Sequence, residues 1–188
     1  MTEDKLNIER ASKAIKDSRF VEALSFLESN LAKDPYHKDS LYFAAVSSRY
    51  LKNYKDSQKY LERLLTITPD MGRAYQELGH LNRDSGNIEK AVTHYRQACE
   101  LNPALLSSWK FLFDYFKNNN NIPAAEHALE HINKLQSVPS VLLYINQILN
   151  EGKLGIAESK CREFLKKNPN NTYAMSLLSE IANRFGYF

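Results

Sequence analysis

Apolar residues recur along the chain at spacings of three and four, the pattern of helices that turn one face inward. Trp109, Leu112, Phe113 and Phe116 form one such stripe, which stops in the asparagine run at 118–121. Similar polar stops fall near Asn53, at Ser85-Gly86-Asn87 and at Glu151-Gly152-Lys153. Prolines mark a second kind of break. Pro35, Pro69 and Pro103 stand 34 residues apart, and Pro169 closes a later unit in the same way. Asn102-Pro103 and Asn168-Pro169 are helix stops, because proline pushes the residue before it out of the helical region. Each unit therefore predicts two helices joined by a short turn.

Other positions keep the same step, the mark of a repeat architecture. Small residues recur at Ala23, Ser57, Ala91 and Ala125, then at Ala157 after a step of 32. Four residues on stand Leu27, Leu61, Tyr95, Leu129 and Cys161, predicted as core. Earlier in each unit run two more apolar columns: Leu41, Tyr75, Trp109, Val141, Met175, and Ala44, Leu78, Leu112, Tyr144, Leu178. The small column gives one helix a shallow surface on which its partner can lie close, with Gly79, Ala45 and Ala11 serving from the other side.

In the third unit, Tyr75, Leu78, Gly79, Gly86, Ile88, Ala91, Tyr95, Ala98 and Pro103 resemble the tetratricopeptide repeat family. The resemblance implies an all-α fold, a right-handed superhelical solenoid of antiparallel helix pairs with about five and a half repeats. It implies a single domain over 1–188 with units at about 4–37, 38–71, 72–105, 106–137, 138–171 and a partial 172–188. Arg10 replaces the expected Leu in unit one, which then reads as a cap. Unit four is two residues short, and Phe113 and Ile145 replace the small residue of the first helix. Altered stacking is therefore expected between units three and five. The half unit stopping after Gly186-Tyr187 predicts an N-terminal piece of a longer protein, because solenoids finish with a polar cap.

The family binds proteins or peptides in a concave groove lined by the first helices. Carried onto this chain, the groove residues are Tyr42, Val46, Arg49, Tyr50, Arg73, Gln76, His80, Arg83, Lys110, Asp114, Lys117 and Asn146, with Asp84, Leu142 and Asn150 at further groove offsets. The lysine and asparagine with which some members clamp a terminal carboxylate are replaced here by Ile8 and Ser12. Arginine forks onto carboxylates and tyrosine supplies apolar area with a polar tip. The expected partner is a protein segment with acidic and aromatic residues, or a downstream domain of the same protein. Self-association through the apolar face of unit six is the oligomeric expectation.

A second resemblance concerns the parent. Pro69-Asp70, Gly72-Arg73-Ala74, Gln76-Glu77-Leu78-Gly79, Asn102-Pro103-Ala104-Leu105 and Ser108-Trp109 are similar to the N-terminal repeats of bacterial sulfotransferase-family proteins. It implies, as the alternative function, an accessory module positioning substrate or dimerising an enzyme that uses 3′-phosphoadenosine 5′-phosphosulfate. That enzyme's catalytic domain would lie beyond residue 188.

Composition narrows the chemistry. A net charge of +3 over 188 residues does not point to nucleic acid. Cys99 and Cys161 lack zinc or redox spacing and read as buried small hydrophobes of a reduced, cytoplasmic protein. No apolar run approaches the ~18–20 residues a membrane span needs. His127-Ala128-Leu129-Glu130-His131 puts two imidazoles one helical turn apart, yet no third metal ligand is announced, so both read as solvent-facing on the outer wall. No phosphate loop, Gly-x-Ser-x-Gly or other catalytic constellation occurs, and no cofactor or metal is expected.

Overall fold

In a computed structural model, residues 3–186 are described. Among them lie eleven α-helices and no strand: α1 Glu3–Lys16, α2 Phe20–Lys33, α3 Lys38–Tyr50, α4 Tyr54–Ile67, α5 Gly72–Asp84, α6 Ile88–Leu101, α7 Leu106–Asn118, α8 Ile122–Gln136, α9 Ser140–Asn150, α10 Leu154–Lys167 and α11 Thr172–Phe185. Consecutive helices pair as hairpins, as in a tetratricopeptide-type solenoid. They fall into two compact units, Met1–Leu101 with α1 to α6, and Asn102–Phe188 with α7 to α11.

The turns repeat as faithfully as the prolines. Ser18, Lys52, Gly86, Asn120, Gly152 and Gly186 all have positive φ, at steps of 34, 34, 34, 32 and 34 residues. One left-handed residue thus ends the first helix of every unit. Asn53 and Asn121 then cap α4 and α8, accepting from the N–H of Asp56 and of Ala124.

Close packing inside each pair rests on the small column. Ala23, Ser57, Ala91 and Ala157 are fully buried, and Ala125 nearly so. Gly79 shows why: a Cβ there would stand 2.7 Å from Cδ1 and Cε1 of the Tyr95 ring. Ser57 keeps its hydroxyl satisfied in the core by donating to the Ala45 carbonyl at 2.9 Å. Two buried amides join α1 to α2, where Asn7 Nδ2 donates to Asn30 Oδ1 at 2.9 Å.

Four predicted core positions are exposed. Leu129 on α8, Val141 and Tyr144 on α9, and Met175 on α11 all keep more than a third of their surface in solvent. For Leu129, Val141 and Tyr144 the cause is a missing neighbour. In the first unit each helix packs on the next, from α1 through α5 to α6. In the second, α7 packs on α8 and α9 packs with α10 and α11, while α8 makes at most slight contact with α9. Leu27, Leu61 and Tyr95 are sealed, whereas Leu129 is not. On α9 the inward face is Leu142, Ile145 and Leu149 instead. On α11 it is Ala174, Leu177 and Ile181, and no second helix follows α11 among the described residues. The expected packing partner after Gly186 would begin at Tyr187 and Phe188, outside the described residues.

Candidate functional site

The first unit carries a cleft of about 520 Å³ built by the C-terminal ends of α3 and α5 and the turn into α4. Its walls are Arg49, Tyr50, Lys52, Tyr54, His80, Arg83 and Asp84. Of the predicted groove residues, Arg49, Tyr50, His80 and Arg83 come together here.

Arg49 is not a free groove cation. Only 7% of it is exposed; its Nε donates to Glu77 Oε1 at 2.5 Å and its Nη1 to Asp84 Oδ2 at 2.7 Å. Burial works against its charge, but Glu77 and Asp84 outweigh that and raise its pKa. Glu77 is itself buried, and that burial pushes its carboxyl up against the pull of Arg49. Asp84 is shared: Arg83 donates to its Oδ1 from Nε at 3.0 Å and from Nη2 at 2.8 Å. Burial would raise Asp84, yet the hydrogen bonds from Arg83 and Arg49 hold it below the usual carboxylate range. These charges clamp α3 to α5 and fix the cleft's shape.

The aromatic wall is equally ordered. The Tyr50 ring stacks on Phe20 at 4.5 Å and 5°, and the Arg49 guanidinium lies 4.4 Å from the Tyr50 centroid. The Tyr54 hydroxyl donates to the Asp84 carbonyl at 3.1 Å. His80 Nδ1 and the Tyr95 hydroxyl share a hydrogen bond of 2.6 Å. Burial, helped by the charges of Arg49 and Arg83, brings the His80 pKa down to about 4, so the imidazole is neutral near pH 7. Burial also raises the Tyr95 phenol. Lys52, at the left-handed turn, has no ion-pair partner among the described residues and supplies the cleft's available cation.

The other predicted residues lie elsewhere. Tyr42 and Val46 are buried, with the Arg73 guanidinium 4.5 Å above the Tyr42 ring, and Gln76 is half-buried. Lys110, Asp114 and Lys117 are exposed on α7 in the second unit, where Lys117 Nζ sits 5.6 Å from the Phe113 ring. Asn146 is half-buried and donates to the Tyr173 hydroxyl at 3.4 Å. Asp84 held a groove offset in the sequence, whereas Lys52 and Tyr54 belong to a turn and a second helix, which the offsets of first helices do not reach.

The histidine pair has an unforeseen partner. The His131 ring stacks flat on Trp109 at 4.1 Å and 4°, while His127 meets the same indole edge-on at 5.6 Å. His127 is exposed as expected; His131 is half-buried, not solvent-facing. No group of three or more His, Cys, Asp or Glu among the described residues could hold a metal ion. Cys99 and Cys161 are buried free thiols. No described helix is long and apolar enough to cross a membrane.

Residues 72–105 match the family model for the tetratricopeptide repeat. A DnaJ protein P58IPK homolog of Arabidopsis thaliana is 30% identical over 87 residues, 46% of this chain and 18% of that protein, so the chain spans under a fifth of that relative. TTC0263, a thermophilic tetratricopeptide repeat protein of Thermus thermophilus, shares the fold at TM-score 0.59 and 18% identity, over 96% of this chain and 97% of its own. The first such domain of Spaghetti (RPAP3), bound to the HSP90 peptide SRMEEVD, aligns at TM-score 0.53 and 18% identity over 68% and 94%. None of these matches carries the resemblance to sulfotransferase repeats.

Proposed function

Taking the chain as a scaffold of tetratricopeptide-type helix pairs, we propose that it binds a protein segment, and that the cleft at the ends of α3 and α5 is the contact. The observation that carries this is the cleft's composition. It combines an exposed, stacked tyrosine, a lysine with no ion pair among the described residues and an arginine already oriented by a carboxylate. Such a surface suits a segment with one bulky aromatic or aliphatic side chain beside a carboxylate. The tyrosine and arginine are pre-ordered, so little side-chain entropy is lost on binding. The neighbour solved with an acidic HSP90 peptide supports the peptide class, while Ile8 and Ser12 argue against a terminal-carboxylate clamp. Among the residues lining the cleft there is no arrangement of nucleophile, base and oxyanion donors, and His80 is committed to Tyr95.

The test is a peptide array screened with wild-type protein and with Lys52→Glu plus Arg83→Glu. Arg49 is left alone, because its loss would disturb the fold. The double variant is expected to lose acidic–aromatic peptides by about tenfold or more. An unchanged binding profile removes the cleft from the account.

A further inference from the structure

A second surface arises where α8 and α9 fail to pack. A notch of about 270 Å³ on the α9–α10 pair is lined by Val141, Tyr144, Lys160, Glu163, Phe164 and Lys167. Subtracting 100 from each number gives the matching positions of unit two, since the intervening steps of the turn residues are 34, 34 and 32. There, Leu41, Ala44 and Leu64 are fully buried, and Tyr60 packs against the same core. The matching face of unit two looks toward the preceding unit: α2 lies against α3, and Arg63 donates to the Pro35 carbonyl at 3.2 Å. A face that elsewhere receives a helix is thus bare in unit five, where Val141 is 41% and Tyr144 47% exposed.

Its rim is also rebuilt. Lysines at 160 and 167 stand where unit two has Tyr60 and Ile67. Lys160 Nζ hovers 5.6 Å from the Tyr144 ring, and neither lysine has a carboxylate partner among the described residues. Among the lining residues, Glu163 is the lone carboxylate. The chain's own α8 does not close the gap. It is held on α7 by the His131–Trp109 stack, and the linker residue Val138 packs on the α9–α11 core.

We propose that this notch is a docking site for an acidic amphipathic helix of a partner protein, which takes on α9–α10 the seat that α2 takes on α3. An apolar stripe would cover Val141 and Tyr144, and carboxylates one turn to either side would meet Lys160 and Lys167. The site is separate from the cleft of the first unit and stands or falls without it.

The probe is a labelled amphipathic helical peptide of leucine and glutamate, read by fluorescence anisotropy against the full chain. A leucine–lysine peptide of the same pattern is the control. Saturable binding of the acidic peptide alone is expected. Lys160→Glu plus Lys167→Glu should weaken it by about tenfold and admit the basic peptide. Tyr144→Ala should weaken it too, while Lys52→Glu plus Arg83→Glu leaves it unchanged. None of these positions is buried, so matching circular dichroism melts confirm that the variants fold. The proposal is overturned if no saturable binding appears, or if the cleft variant abolishes it and the notch variant does not. It is also overturned if a Leu129→Cys, Tyr144→Cys pair forms a rapid intramolecular disulfide, which would put α8 over the notch. Light scattering showing a dimer that Tyr144→Ala dissolves would assign the face to a second copy and overturn it as well.

Discussion

Replacing Gly79 by alanine adds one methyl group to α5 and should destabilise the first unit, against the usual gain of alanine in a helix. The new carbon would lie 2.7 Å from two Tyr95 ring carbons and 2.9 Å from Cγ. Carbon atoms rest at about 3.5–4.0 Å, so the ring must retreat by roughly 1 Å. Tyr95 has little room to do so. It is fully buried, and its hydroxyl is held by His80 at 2.6 Å. Overpacking of this kind costs about 1–3 kcal/mol. Loss of the Tyr95–His80 hydrogen bond adds about 1 kcal/mol, and the helix preference of alanine returns about the same. The net expectation is a loss of about 1–3 kcal/mol, a fall in Tm of roughly 2–4 °C per kcal/mol at this chain length. Gly155→Ala is the internal control. Nothing lies within 4 Å of its Cβ position in the first turn of α10, so it should be neutral or stabilising by up to about 1 kcal/mol. Thermal melts of the two single variants decide the matter. Equal signs for both would refute the claim that close approach of α5 to Tyr95, rather than helix preference, selects glycine at position 79.

Other positions give independent checks. Lys52→Gly should stabilise by about 1 kcal/mol in urea unfolding, because a non-glycine residue at φ 61 is strained and Gly86 holds the same place one unit later. Glu77→Ala should cost about 3–5 kcal/mol, since it leaves Arg49 buried with a single partner on a more exposed aspartate, and a loss under about 1 kcal/mol would contradict that role. His80 is neutral in the fold with a pKa near 4, below its ordinary 6.5. Its contribution is complete above pH 6.5 and is lost as pH falls from there through about 4, by up to about 3 kcal/mol. A urea midpoint that drops over this window in wild type, and drops less in His80→Gln, is the expected result.

The helix pairs, the small column and the turns were legible because each is a local or periodic property. Pro35, Pro69 and Pro103 fix the step, and residues one step apart meet the same demands. Gly86 and Gly152 signalled their left-handed turns, whereas Ser18, Lys52 and Asn120 hold the same conformation with side chains that do not announce it. Core membership was less legible where it depends on a neighbour. Leu129, Val141 and Tyr144 have the right residue types in the right columns, yet burial needs α8 to lie on α9, and sequence period says nothing of that contact. Arg49 was misleading for a related reason. Its offset marks a groove side chain, but Glu77 and Asp84, 28 and 35 residues away, draw it inside. The stack of His131 on Trp109 likewise joins residues whose types suggested solvent and core separately.

The sparse contact between α8 and α9 bears on how the molecule comes apart. In a stack where each pair touches only its neighbours, coupling across one junction sets whether two segments melt together. Residues 140–185 have their own sealed cluster around Leu142, Ile145, Cys161 and Ile181. They should open as a distinct cooperative block, exchanging amide protons on their own schedule, so that a single melting temperature averages at least two events.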